Sequence, residues 1–310
     1  MNILFFCNAN NKVGIGHIRR SQTIANSISE LNNKFRLTFT GDIDKEFIKR
    51  KNIDIDTIEL KPNFDDYDLI VFDSYEDKDY EKISSLDNIK IGIDDQEIKS
   101  FINWDLVINC RLKSRYKKYE SKKSMCGVKY FPFDNKYLSL RKKNILTNNI
   151  EKLFFYFGET VDIEIDKKTK NLLKEFGDKY SFFIYAKDGN SDNSFELINS
   201  SNFFKHFSDA DVIVHGGGLT KYEASYAKKY NLSFSINELQ KKDTKYLSSL
   251  GLSKDMGYYE NIYETIKKSL DHIENIEFKE LESFNKASTR YFYNDSLENV
   301  SKEITKMITK

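Results

Sequence analysis

Residues 2–20 read NILFFCNANNKVGIGHIRR: an apolar run, a polar turn, two glycines one residue apart, and a histidine opening a helical pattern. The run Asn2–Cys7 is short and bounded by turn residues, so it reads as a buried first β-strand. Gly16–Leu31 carries apolar residues at helical spacing, which makes the intervening segment a strand-to-helix turn. Gly14 and Gly16 permit tight or left-handed backbone there and let a ligand come close to the chain. The free N–H groups and positive dipole end of the helix face the carboxyl edge of the sheet, the expected ligand site of an open α/β sheet. The spacing is G-x-G-H, not the dinucleotide pattern G-x-G-x-x-G, because Arg19 stands where the third glycine would be.

Working outward, short apolar runs keep alternating with longer amphipathic stretches. Arg36–Thr40, Leu69–Asp73, Ile89–Ile93 and 105–109 read as strands, and 127–133 as the last strand of the first half. A charged, Asn-rich stretch at 139–151 reads as a connection. The second half restarts with an aromatic strand at 152–157 ending on Gly158, then a helix over Lys167–Phe176, a strand at 180–186 and a polar turn at 188–194. A strand at 211–215 runs into glycines, with a helix at 222–229. Ser296–Ile308 places Leu297, Val300, Ile304 and Ile308 at helical spacing. This alternation predicts an α/β protein with parallel sheets and crossover helices. At 310 residues the chain is long enough for two Rossmann-like domains, 1–140 and 150–295, with a ligand cleft between them and a final helix at 296–310 packing back on the first.

Composition narrows the partners. There are 49 basic and 48 acidic residues, so net charge offers no reason to expect a nucleic-acid or membrane partner. The start of the chain lacks the basic residues and long apolar core of a signal peptide, and no run approaches the ~18 apolar residues of a membrane span. Cys7, Cys110 and Cys126 form no CxxC pair and no metal-ligand spacing with the four histidines, so reduced buried thiols in a cytoplasmic protein are expected, with no cofactor and no metal. With 24 Phe and 19 Tyr, large rings are expected to fill much of both cores.

A second turn carries as much information: Val212-Ile213-Val214-His215-Gly216-Gly217-Gly218-Leu219-Thr220-Lys221-Tyr222-Glu223. Three consecutive glycines let several backbone N–H groups converge on a diphosphate without side-chain obstruction. Thr220 adds a hydroxyl, and Glu223, one turn into the helix, is placed to accept hydrogen bonds from ribose hydroxyls. His215 has two readings, strand-end packing or ligand contact. In the first turn, His17 is the natural general base. Histidine changes charge near neutral pH, and a helix start beside glycines is expected to keep its ring accessible and neutral. General-base action of this kind is worth roughly 10²–10⁴-fold in rate.

These residues together resemble the nucleotide-sugar hydrolase family of pseudaminic acid biosynthesis, the UDP-2,4-diacetamido-2,4,6-trideoxy-β-L-altropyranose hydrolases, which have the GT-B fold of two Rossmann-like domains facing a cleft. Gly14-Ile15-Gly16-His17-Ile18-Arg19-Arg20 is similar to the family's G-x-G-H-x-x-R motif. Phe72-Asp73-Ser74-Tyr75 resembles its Asp-His-Tyr, Ile93-Asp94-Asp95-Gln96-Glu97 its Asp-Asp-Glu turn, and 105–109 its strand ending in Asn. Gly127 to Tyr130 resembles the segment before its interdomain linker. Gly216 to Glu223 resembles its small-residue turn, and Asn237-Glu238-Leu239-Gln240 the loop after it. The resemblance implies that His17 activates water at the anomeric carbon, with Gly14, Gly16, Arg20, Asp73, Tyr75 and Asp94 on the sugar side. It implies that Gly158, His215, Gly217, Gly218, Leu219, Thr220, Glu223, Asn237 and Gln240 hold the nucleotide.

Three departures stand out. Ser74 replaces the family's histidine, Glu159 stands in the turn after the first strand of the second half (Gly158-Glu159-Thr160-Val161-Asp162), and Asp134 follows Phe131-Pro132-Phe133 where relatives carry an arginine. The expected activity is hydrolysis of a UDP-sugar to free sugar and UDP. A glycosyltransferase using the same base on an acceptor hydroxyl is the alternative, for which the basic run at 111–123 speaks; a solvated face is its plainer reading. A non-catalytic nucleotide-sugar binder is the third. Asp209 and Asp211 form an Asp-x-Asp, but at the strand end away from the glycines, too far for a shared ion given ~3.3 Å per residue. Asp94 with Asp95 also reads as a solvated acidic turn.

Overall fold

The computed structural model describes residues 1–309 apart from 33, 96, 98, 117, 145–148, 159–160 and 187–188. The chain divides into two units, Met1–Asp134 with Tyr293–Lys310, and Asn135–Phe292. The first holds β1 (Asn2–Cys7), α1 (Gly16–Leu31), β2 (Arg36–Thr40), α2 (Lys45–Arg50), β3 (Leu69–Asp73), α3 (Asp77–Ser84), β4 (Ile89–Ile93), β5 (Leu106–Asn109) and β6 (Ser124–Cys126). The second holds α4 (Asn135–Lys143), β7 (Lys152–Tyr156), α5 (Lys167–Phe176), β8 (Ser181–Tyr185), β9 (Phe195–Ile198), α6 (Phe203–Asp209) and β10 (Val212–His215). It continues with α7 (Thr220–Tyr226), β11 (Tyr230–Ser235), α8 (Glu238–Ser249), β12 (Lys254–Tyr258), α9 (Ile262–Glu274) and α10 (Phe278–Tyr291). The last helix, α11 (Ser296–Ile308), belongs to the first unit.

Every strand pair is parallel, in the orders β2-β1-β3-β4-β5-β6 and β12-β11-β10-β7-β8-β9. The central strand β3, Leu-Ile-Val-Phe-Asp, is buried at every position, as expected for a parallel sheet covered on both faces. Leu69 and Val71 join Ile3 and Phe5 on the face covered by α1 and α11, where Ile18, Ile24 and Ile28 pack with Leu297, Val300 and Ile304. Ile70 and Phe72 turn to the other face with Leu4, Phe6 and Trp104. Each such fully buried side chain contributes about 1.5–3 kcal/mol relative to exposure. Rings do much of the filling, as in the Tyr80–Trp104 stack at 5.6 Å between centroids.

The strand orders position the candidate site. The first sheet reverses direction between β1 and β3, and the second between β7 and β10, which makes those strand ends the topological switch points where α/β sheets bind ligands. The G-x-G-H turn leaves β1, and Asp73, the last residue of β3, pairs in register with Cys7. The triple-glycine turn leaves β10, where His215 pairs with Tyr156.

Several sequence expectations are corrected. No strand covers 127–133: β6 ends at Cys126, Gly127 at φ +104° turns the chain away, and Pro132 has no N–H to extend a ladder. The helix expected over 222–229 begins at Thr220 and ends at Tyr226, with Lys228 already at φ +60°. The connection read at 139–151 starts as helix, since α4 runs to Lys143, and its residues 145–148 lie outside the described residues. Part of the polar turn at 188–194 does so too. Among the described residues no helix is long and apolar enough to cross a membrane.

Candidate functional site

The turn between β1 and α1 is built by Asn10. Its side-chain oxygen accepts from the amides of Lys12 (2.9 Å) and Val13 (3.1 Å), and its carbonyl accepts from Gly14 N–H at 2.8 Å. Gly14 closes the turn at φ +75°, a left-handed conformation that glycine adopts without steric cost, with open space where a Cβ would stand. Helix α1 then starts at Gly16, with His17 and Arg20 on the turn that faces the end of β3.

Nδ1 of His17 lies 2.7 Å from Oδ1 of Asp73. Arg20 reaches the same carboxylate twice, Nη2 to Oδ1 at 2.6 Å and Nε to Oδ2 at 2.8 Å, and its Nη1 donates to Asp95 Oδ2 at 2.9 Å. Burial by itself raises the Asp73 pKa, but the Arg20 charge, the contact with His17 and the hydrogen bonds from both outweigh it and hold the carboxyl at about 2. An ionised Asp73 has no proton to give, so the shared hydrogen sits on His17 Nδ1 and Nε2 is left as the basic nitrogen. The ring of Tyr75 meets the imidazole edge-on, 4.3 Å between centroids. Its phenol pKa is raised, first by burial of the hydroxyl end and then by Asp95, so it stays a neutral hydroxyl.

Three expectations change here. The imidazole is 5% exposed, not accessible: helix, carboxylate and the Tyr75 edge enclose it, whereas Tyr75 itself is 41% exposed. Arg20 is also buried, with its guanidinium spent on two carboxylates, so it holds Asp73 in place and does not present itself to a substrate. Nor is Asp94 in a solvated turn. It is buried, with Oδ2 accepting from Tyr119 OH at 2.7 Å and Oδ1 from the Glu97 amide at 3.0 Å. Gln96, from the same motif, lies outside the described residues.

The strand ends also gather residues that the motif reading passed over. Asn109, at the end of β5, donates to Tyr119 OH at 2.8 Å. Tyr119 stands inside the basic run, and its ring packs against the buried cluster that contains Phe72, Phe101 and Trp104. Asp95 Oδ1 is buried and has no hydrogen-bond partner among the described residues. In place of the family's histidine, Ser74 Oγ accepts from Asn8 Nδ2 at 3.0 Å and donates to Asp79 at 3.2 Å, a polar link between the ends of β1 and β3.

In the second unit, His215 is fully buried, and both ring nitrogens have protein partners: Nε2 with Asn231 Oδ1 at 3.0 Å, and Nδ1 accepting from Gly217 N–H at 3.1 Å. Burial lowers its pKa to about 4, so it stays neutral. This corrects the ligand-contact reading, since His215 secures the turn from below. Gly217 sits at φ +77° and is packed closely, a Cβ there lying 3.2 Å from Thr244 Oγ1 and 3.3 Å from Ser233 Oγ. Above Gly218 there is open space. Among the described residues, the amides of Gly218, Leu219 and Thr220 have no acceptor in the protein. Those three donors, not Gly217, are what the turn offers an anion.

Glu223 lies on α7 in the turn after these donors. Asn237 and Gln240 are both engaged at the start of α8. Asn237 caps α8 by accepting from the Gln240 amide at 3.0 Å, and Gln240 Oε1 accepts from the Ile236 amide at 3.0 Å, a reciprocal capping arrangement that occupies both side-chain oxygens. Gly158 ends the β7 turn at φ +89°, while Glu159 and Thr160 lie outside the described residues. Asp211 Oδ2 accepts from the amides of Glu151 and Lys152, both at 2.9 Å, and so closes the opposite end of the sheet. Among the described residues no group of three or more His, Cys, Asp or Glu is arranged to hold a metal ion.

No protein-family model matches the sequence, and no characterised protein matches it at the sequence level. Solved structures do resemble it in fold. UDP-bound MnaA of S. aureus superposes with a TM-score of 0.62 at 10% identity, covering 99% of this chain and 97% of that one. The wall teichoic acid polymerase TagF gives 0.59 at 15% identity, with 99% and 89% covered. A glycotransferase of kitacinnamycin gives 0.60 at 9% identity, with 98% of each chain covered. The fold is therefore α/β of the GT-B class, built from two Rossmann-like units.

Proposed function

We propose that this chain is an enzyme that hydrolyses a nucleotide-activated amino sugar, a UDP-linked 2,4-diacetamido-2,4,6-trideoxyhexose or close relative, to the free sugar and UDP. The observation that carries this reading is the 2.7 Å contact between His17 Nδ1 and the Asp73 carboxylate at a sheet's switch point, an arrangement that orients Nε2 to act as the base. In the proposed step His17 Nε2 takes a proton from water as the water oxygen bonds to C1 with inversion. The bond from C1 to the diphosphate oxygen breaks, and its electron pair leaves with UDP. Developing charge on the leaving group is met by the amides of Gly218, Leu219 and Thr220, a preorganised set of dipoles. Glu223 takes the ribose hydroxyls, and Tyr75, Asp94 and the Asn109–Tyr119 pair form the sugar side. Because Tyr75 covers the imidazole, its ring moves aside as the sugar enters.

A second reading, transfer of the sugar to an acceptor hydroxyl, uses the same base, and the exposed Lys113, Lys118 and Lys122 of the basic run favour it by offering a surface for an anionic acceptor. A cytoplasmic location goes with either reading, since all three cysteines are free. The deciding experiment incubates the purified protein with UDP-sugars and no acceptor while UDP release is followed. Release that His17→Ala abolishes supports hydrolysis. Release only after a glycan or lipid acceptor is added supports transfer, and UDP binding without turnover on any donor reduces the protein to a binder.

A further inference from the structure

Beneath the triple-glycine turn lies a charged pair that the proposed chemistry does not use. Lys221 is 3% exposed, and its Nζ donates to the carbonyl of Gly217 and pairs with Asp243 Oδ2 at 2.9 Å. Tyr222 OH donates to the same carboxylate at 3.0 Å, which ties the start of α7 to the middle of α8. Gly217 is thus held at both of its backbone polar groups, its N–H by His215 Nδ1 and its C=O by Lys221 Nζ.

The consequence follows from peptide geometry. The carbonyl of Gly217 and the N–H of Gly218 belong to one trans peptide plane and point in opposite directions. Drawing the carbonyl to a buried ammonium therefore turns the Gly218 N–H the opposite way, where it has no acceptor among the described residues. A peptide between two glycines has no Cβ on either side to resist rotation, so the sequence Gly216-Gly217-Gly218 does not by itself choose this orientation. We infer that Lys221 is a positioning residue that locks the Gly217–Gly218 peptide with its N–H facing a bound diphosphate, an inference that rests on the diphosphate reading of this turn. Asp243 balances the charge, so the lock acts by direction and adds no net cation to the site.

The test compares the full-length protein with Lys221→Gln, which keeps a donor for the Gly217 carbonyl, and with a Lys221→Met/Asp243→Asn double variant, which removes both charges together so that neither is stranded. UDP and inorganic pyrophosphate binding are measured by calorimetry, and the 13 glycine amides are followed in ¹⁵N-glycine-labelled protein, with Gly218 assigned through Gly218→Ala. The double variant is expected to weaken UDP and pyrophosphate binding at least tenfold, to lower kcat/KM at least tenfold, and to shift or broaden the Gly218 signal. Lys221→Gln is expected to bind within about threefold of wild type. A double variant that binds both ligands within twofold of wild type with an unmoved Gly218 signal overturns the lock. If the double variant does not fold, the Gly218 signal in Lys221→Gln decides: a wild-type position supports the lock, and a displaced one with unaltered pyrophosphate binding overturns it. Wild-type protein that binds pyrophosphate yet releases UDP from no sugar defeats the hydrolase reading and leaves the lock standing. Wild-type protein that binds neither ligand overturns it.

Discussion

Arg20 grips Asp73 through two nitrogens at once while Asp73 Oδ1 also faces His17, so one carboxylate links a buried cation to an imidazole. The arrangement separates two tasks. Arg20 keeps Asp73 ionised and in place, and Asp73 sets which nitrogen of His17 carries the proton.

Asp73→Asn removes the charge that selects this tautomer and offers an amide that can equally hold the imidazole the wrong way round. Turnover should fall about 10²–10⁴-fold with UDP affinity within twofold of wild type, as read by steady-state kinetics and calorimetry. Equal losses of turnover and of UDP affinity would contradict the assigned role.

Arg20→Met strands a buried carboxylate. Urea unfolding should show a loss of about 3–5 kcal/mol, and Arg20→Met/Asp73→Leu should recover much of it, since removing both partners is far less costly than removing one. The acid limb has a defined sign. Asp73 is depressed from an ordinary 3.8 to about 2, so its contribution is complete above the unfolded value and is lost as pH falls through the folded one. Wild-type stability should drop by about 2 kcal/mol between pH 4 and pH 2, and Asp73→Asn should flatten that segment.

His215 acts over a higher range. Its pKa is lowered from 6.5 to about 4 by burial, so the unfolded state binds the proton first and stability declines as pH falls from about 6.5 toward 4. The decline attributable to this residue is about 3 kcal/mol, and His215→Gln should remove it from a series of urea unfolding curves.

Tyr75 covers His17, and its removal should expose the ring. Diethylpyrocarbonate should modify His17 slowly in wild-type protein and at least fivefold faster in Tyr75→Ala, with the modified residue identified by mass spectrometry. Equal rates would mean that the enclosure comes from elsewhere.

Much of this was readable from residue order alone, and the remainder fails for identifiable reasons. The first strand, its glycine turn and the following helix are marked by an apolar run, two glycines and a periodic pattern, and all three lie where those signals put them. Strand β11 has no such signal. Its sequence YNLSFS is polar at alternate positions yet buried throughout, because Asn231 is consumed by His215 and Ser233 by Thr244. The same partnership explains why His215 carries two readings in the sequence. Its role depends on a residue 16 positions away on the neighbouring strand, and pairing across strands leaves no mark in local sequence. Asn237 and Gln240 show the converse. Their spacing is that of a helix cap as much as of a ligand loop, and the cap is what forms.

The placement of α11 bears on how the molecule comes into being. Leu297, Val300 and Ile304 complete the apolar layer over Ile18, Ile24 and Ile28, so the unit that contains β1 and α1 stays unfinished until α11 has been synthesised. The second unit is continuous from Asn135 to Phe292 and has all its parts earlier. The unit carrying the histidine is thus begun before the second unit and closed after it, and a chain cut short after Phe292 leaves that layer uncovered.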